Sequence, residues 1–305
     1  MQQHAESFFA EVDAATGARL PQFVKDEFDA FLECGILAHG FLRLRCADCG
    51  HDKLVAFSCK RRGFCISCGA RRMAQTAAHL VDQVIPHVPV RQWVLALPIP
   101  LRLLLAAQPM LVTPVLQVVH RAITRFLLDQ AGLKAEQADS GAVTLIQRFG
   151  SAANLNIHLH CLVLDGVYRR TDGEPLFVEV PAPTDEELQA VLHKIIARLM
   201  KLLARRGVLI EEEEGSTHLA DGDADSDDAR TLRPLQAAAC TYRIAFGPRA
   251  GQKVFTVQGA VPRDAALTQA LCAAVQGFSL HAAVWRVNLD ESRASIWMRV
   301  ARQSG

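Results

Sequence analysis

Two Cys-x-x-Cys pairs, Cys46/Cys49 and Cys65/Cys68, stand fifteen residues apart. Four thiolates at that spacing suit a tetrahedral zinc ion, which holds together segments too poor in apolar bulk to fold alone. Cys59 is a fifth candidate ligand and His51 a weaker one. A four-thiolate zinc site carries two negative charges, and Lys60, Arg61, Arg62, Arg71 and Arg72 crowd around the second pair. Residues 43–72 hold eight Lys or Arg against two Asp, more than charge balance needs, and the excess points to phosphate.

A second constellation lies in residues 154–165, Asn-Leu-Asn-Ile-His-Leu-His-Cys-Leu-Val-Leu-Asp. On a strand, His158 and His160 project from one face while Ile157, Leu159 and Cys161 project from the other. Two neutral imidazoles side by side can grip one divalent ion, given a third ligand. If Ser151–Asn154 is a four-residue turn, the preceding strand sets Gln147 opposite His158, its Cβ about 5 Å away. Gln147 is the candidate third ligand, with Arg148 and Asn156 flanking that face. From spacing alone, two polar-face histidines with no ion remain the commoner arrangement. His281 and Trp93 fit a structural role better than a place in the site.

The elements that must carry these groups read as α+β. Helices are expected over residues 21–37, 71–85 and 184–206, the last opened by a Thr184/Glu187 capping box. Leu101–Gln130 should be helical with bends at Pro109 and Pro114. Residues 91–97, 142–149, 156–165 and 278–287 read as strands. A further hairpin is expected from 241–246 and 253–258 around the turn at Gly247–Gly251.

The chain has 305 residues and a net charge of only +1. Nine of its acids fall in residues 211–229 with no Lys or Arg among them, so the remainder is a body of net +10. The stretch 211–230 is expected to be a solvated, disordered insert. The division expected is a zinc-binding, DNA-recognition module over 1–85 and a core over 86–305. Nine cysteines are an odd number for a disulfide framework, and Cys34, Cys161, Cys240 and Cys272 read as reduced, buried thiols. The start has no signal-peptide pattern, and prolines break the apolar stretch 93–119, so the expectation is a cytoplasmic, nucleoid-associated chain with no membrane and no small-molecule substrate.

Three segments carry a family likeness: FLRLRCADCGHDKLVAFSCKRRGFCISCGARRM (41–73), AVTLIQRFGSAANLNIHLHCLVLDGVY (142–168) and RIAFGPRAG (243–251). Together they resemble, in order, the insertion sequence 91-like rolling-circle transposases of the HUH group. Ile66 stands where that family usually has proline. The resemblance implies a largely antiparallel HUH sheet and a zinc module that recognises element-end DNA. It also implies an Mg²⁺ or Mn²⁺ ion on His158 and His160, with single-stranded DNA as the partner, nicked by a tyrosine that becomes phosphotyrosine-linked. The family's tyrosine follows the final strand in a stretch like R-Y-x-x-R-P. Here that alignment meets Arg299, and the two tyrosines present, Tyr168 and Tyr242, lie elsewhere. The expectation is a truncated or frameshifted copy that binds DNA and metal with little or no strand cleavage. The rival is a non-catalytic DNA-binding protein or repressor of the same ancestry.

Overall fold

The computed structural model describes residues 1–61, 63, 65–150, 154–211, 217–219, 227–254 and 271–287. Arg62 and Arg299 lie outside them. Contacts divide the chain into two units, residues 1–86 with 226–232, and residues 87–225 with 233–305.

The first unit opens with helices α1 (Ala5–Thr16) and α2 (Gln22–Glu33), held by an aromatic contact between Phe9 and Phe28 at 5.2 Å. Pro21 caps α2, and the helix stops at Glu33, four residues short of the expected end, because Cys34 turns to extended backbone. Strands β1 (Phe41–Arg45) and β2 (Asp52–Ala56) then form an antiparallel hairpin with Phe41 opposite Ala56 and Arg45 opposite Asp52. Helix α3 (Ile66–His79) starts five residues before the expected position, directly after Cys65.

In the second unit the chain order is β3 (Val90–Ala96), α4 (Ile99–Ala107), α5 (Val112–Gln130), β4 (Ala138–Asp139), β5 (Ala142–Phe149), β6 (Leu155–Leu164), β7 (Gly166–Arg169) and β8 (Leu176–Glu179). There follow α6 (Asp185–Arg205), β9 (Leu209–Glu211), β10 (Thr217–Leu219), α7 (Asp227–Thr241), β11 (Cys272–Val275) and β12 (Phe278–Val287). The main sheet runs β11-β12-β3-β6-β5, with every neighbouring pair antiparallel. A smaller sheet runs β4-β7-β8. The fold class is therefore α+β, as the sequence indicates.

One face of the main sheet is dry. Trp93, Leu95, Ile157, Leu159 and Cys161 are each at most 1% exposed and join α5 and α6 in one core. Trp93 meets Phe126 of α5 edge to face at 5.9 Å. Residues Pro109–Gln130 are long and apolar enough to cross a membrane, but half of that stretch is buried here, through Val115, Val119, Ile123 and Leu127. Proline accounts for only one of the two expected bends. The helix breaks at Gln108–Pro109, whereas Pro114 lies in the first turn of α5, where no N–H is required.

A buried ion pair locks the sheet's centre. Arg91 on β3 donates Nε and Nη2 to the two carboxylate oxygens of Asp165 at 2.8 and 2.6 Å, and Nη1 to the carbonyl of Ala282 on β12 at 3.2 Å. The fork fixes β3, the end of β6 and β12 against one another.

Most of the acidic stretch expected to be a disordered insert, residues 212–216 and 220–226, lies outside the described residues; beside it β10 pairs with β9 and α7 begins at Asp227. That helix runs to Thr241, so no strand forms over 241–246. Across the Gly247–Gly251 turn Arg243 bridges Lys253, Ile244 N–H donates to Gln252 O and Val254 N–H donates to Tyr242 O, so the two arms pair without forming regular strands, and residues 255–258 lie outside the described part.

Candidate functional site

The thiols come together differently from the sequence pairing. Cys34, Cys59, Cys65 and Cys68 form one cluster, with sulfur–sulfur distances of 3.8 Å (Cys34–Cys68), 3.5 Å (Cys59–Cys68) and 3.6 Å (Cys34–Cys65). Four sulfurs about 2.3 Å from a central zinc sit roughly 3.8 Å apart in a tetrahedron, so the cluster fits the ion. Each sulfur is set by local structure. Cys34 caps α2 and accepts the amide of Cys59 at 3.3 Å; Cys65 precedes α3, and Cys68 lies in its first turn. Without an ion the four compete for protons. A hydrogen bond from Cys59, ahead of all other causes, draws Cys68 down to about 7, while burial pushes Cys59 up to about 12.

Cys46 and Cys49 are not part of that set. They occupy the turn between β1 and β2 and are exposed, whereas Cys34 and Cys59 sit at the hairpin's foot, where Gly35 N–H bonds Phe57. Five paired residues separate tip from foot, about 15 Å of strand. No tetrahedron spans that length. Cys34, read from sequence as an inert buried thiol, takes a place in the cluster instead. Cys161 and Cys240 are buried as expected, and burial raises both thiols, Cys161 to about 11.

The other face of the main sheet carries the histidines. His158 and His160 are each 6% exposed, and their ring centroids are 4.8 Å apart. Gln147 pairs directly with His158. The carbonyl of Asn156 accepts from His158 Nδ1 at 2.6 Å. A carbonyl can only accept, so the proton is on Nδ1 and the Nε2 lone pair is free. Gln92 Nε2 lies 2.6 Å from His160 Nδ1; turning that carboxamide so that its oxygen accepts the Nδ1 proton leaves Nε2, buried with no hydrogen-bond partner, as the free lone pair. An orphaned buried ring nitrogen costs roughly 1–3 kcal/mol, a penalty that a bound ion removes. Burial pushes both imidazoles down, His160 to about 4, so both are neutral at pH 7 and able to ligate. Gln147 spends its Nε2 on Phe149 O at 3.0 Å, which leaves the carboxamide oxygen as the available ligand atom.

Two contributors escaped the sequence reading. Gln92 is a polar residue, 5% exposed, in an otherwise apolar strand, which was the available signal. Arg102 lies close enough for its charge to lower His158 further, after burial. His281 shares the site's face but stands two strands from His160, with Val94 between, and meets Cys272 Sγ at 3.4 Å. Asn156 is half-buried with Oδ1 unpartnered, and Arg148 is exposed beside Gln147. Lys60, Arg61, Arg71 and Arg72 are all exposed; Arg61 lies 3.8 Å from Glu27, and Arg72 donates to the carbonyl of Lys60.

Comparison with known families matches residues 1–97 to a transposase zinc-binding domain and residues 141–283 to a putative transposase. The chain belongs to the insertion sequence 91-like transposases. The first match covers the thiol cluster and the second covers both histidines. No curated protein and no solved structure matches the chain. Membership makes this transposase a DNA-binding protein of transposition with a structural zinc in its N-terminal domain.

Of the two tyrosines, Tyr168 lies away from the histidines. Tyr168 is on β7, beyond the far end of β6, and packs on Phe177 at 5.1 Å. Tyr242 is 41% exposed, with left-handed backbone at φ 57°.

Proposed function

We propose that this transposase binds single-stranded element-end DNA and holds a divalent Mg²⁺ or Mn²⁺ ion on His158, His160 and Gln147. The observation that carries the reading is the pair of Nε2 atoms on one face, His158 Nε2 freed by the Nδ1 bond to Asn156 O and His160 Nε2 buried without a partner and freed once the Gln92 amide oxygen faces Nδ1. A neutral imidazole pair with a carboxamide oxygen suits an exchangeable divalent ion of intermediate hardness. When bound, such an ion polarises a scissile phosphate. Arg102, beside His158, adds a fixed positive charge for that phosphate. Arg148 and the basic residues of the first unit, Lys60, Arg61, Arg62, Arg71 and Arg72, contact the DNA backbone, and the four-thiol zinc site holds together the module that presents the latter five.

Arg299 stands where the family resemblance places the nucleophilic tyrosine, so the chain binds its DNA without forming a covalent link. The test is incubation with single-stranded element-end DNA and Mn²⁺, followed by denaturing electrophoresis. Metal-dependent DNA binding with no shifted covalent band is the expected result, and a covalent band on the intact chain overturns it. Should a band form, Tyr242 is the position to examine first. Cys240, two residues before it, and His158 both lie within the field of Arg102.

A further inference from the structure

The Cys46–Cys49 turn is built as a metal knuckle and left half-complete. Cys46 N–H bonds His51 O at 2.9 Å, Gly50 N–H bonds Cys46 O at 3.0 Å, and Gly50 takes the left-handed φ of +68° that closes the turn. A tetrahedral zinc needs four ligands. Among the described residues no third His, Cys, Asp or Glu ligand atom joins this pair, and the other thiols of the unit are committed to the Cys34 cluster.

The hairpin that carries the knuckle is itself uncovered. A two-stranded ribbon alone is marginal in water, and this one exposes apolar side chains on both faces. Leu42, Leu44 and Val55 share one face; Phe41 and Leu54 share the other; all are between 41% and 52% exposed. Such a cluster marks a surface that another chain covers.

We propose that the Cys46–Cys49 turn is half of a second zinc site, completed by the same turn of a second copy of this chain, with the two hairpins packing along their apolar faces. A second copy is the occupant that supplies two further thiolates in the same geometry and a matching apolar ribbon by symmetry. The bridging ion then sets how two copies are held, while the Cys34 cluster folds each one.

The experiment is native mass spectrometry of the zinc-replete, reduced chain beside the Cys46→Ser/Cys49→Ser variant. Beyond any ion on the histidine sites, which a His158→Ala/His160→Ala background removes, wild type should be a dimer holding three zinc ions and the variant a monomer holding one. Retention of that one ion shows that the variant still folds, and a Leu42→Lys/Leu44→Lys variant should weaken the dimer with both knuckle cysteines present. A monomeric wild type with one or two ions, a Cys46–Cys49 disulfide in the reduced preparation, or a dimer indifferent to Cys46→Ser/Cys49→Ser would each overturn the proposal. None of these outcomes bears on DNA binding or on His158 and His160.

Discussion

Gln147 stands directly across from His158 at the last regular pair before the register of the two strands shifts. Phe149 pairs with Leu155 and Gln147 with His158, so β6 carries one extra residue between the two pairs. The bulge lies beside Asn156, whose carbonyl holds His158 Nδ1. Pairing is regular from Ala142–Val163 to Gln147–His158, so register sets the carboxamide opposite the imidazole, and the bulge beyond it lies where the Asn156 carbonyl meets the ring, a common place for bulges next to functional sites.

From this follows a graded loss of Mn²⁺ affinity. His158→Ala and His160→Ala should abolish tight binding. Gln147→Ala should weaken it less, and Gln92→Leu, which removes only the partner of His160 Nδ1, should cost roughly 10–100-fold. Isothermal titration with Mn²⁺ reads all four. Equal affinity in wild type and His160→Ala would remove the site from consideration.

Part of this was legible in the sequence because it is local. The His158/His160 alternation, the hairpin and the Thr184/Glu187 capping box each sit within a few residues, and all three form, Thr184 accepting Glu187 N–H and Glu187 accepting Thr184 N–H. What stayed hidden is long-range. Gln92 reaches His160 from a strand 68 residues away, and Cys34 reaches Cys68 across 34. Two identical Cys-x-x-Cys pairs look like partners until the hairpin between them sets one at a tip and the other at a foot. Helix α7 was missed because the acidic run leading into it reads as a solvated insert and its internal Pro234 opposes helix, although acidic residues at a helix start favour one.

The metal-free protein should lose stability in mild acid. Burial lowers His160 from 6.5 to about 4. Between those values the unfolded chain binds a proton that the folded chain refuses, so the stabilisation is complete above about pH 6.5 and is lost as pH falls toward 4. The full effect is about 3 kcal/mol. Urea midpoints at pH 7 and pH 5 measure it, and His160→Gln should flatten the difference.

Zinc retention should distinguish the two cysteine sets. Cys34→Ser should release the structural ion and unfold the first unit, as Cys65→Ser should, because metal binding and folding are one equilibrium in such modules. Cys46→Ser should leave that ion in place. Metal content after gel filtration, with circular dichroism of each variant, provides the comparison. If Cys46→Ser strips the ion while Cys34→Ser does not, the cluster is wrongly assigned.

The Arg91–Asp165 pair offers the sharpest stability test, because it separates charge removal from charge orphaning. Asp165 is 1% exposed and takes both ends of the guanidinium fork. Asp165→Ala leaves a buried, unpaired cation beneath the histidine strand and should cost about 3–5 kcal/mol. The double variant Arg91→Met/Asp165→Leu removes both charges and fills the space, so it should recover most of that loss. If orphaning is the mechanism, thermal melts will rank wild type and the double variant close together, with Asp165→Ala well below. A double variant no more stable than Asp165→Ala would show instead that the fork's geometry, holding β3, β6 and β12 in place, is what the sheet requires.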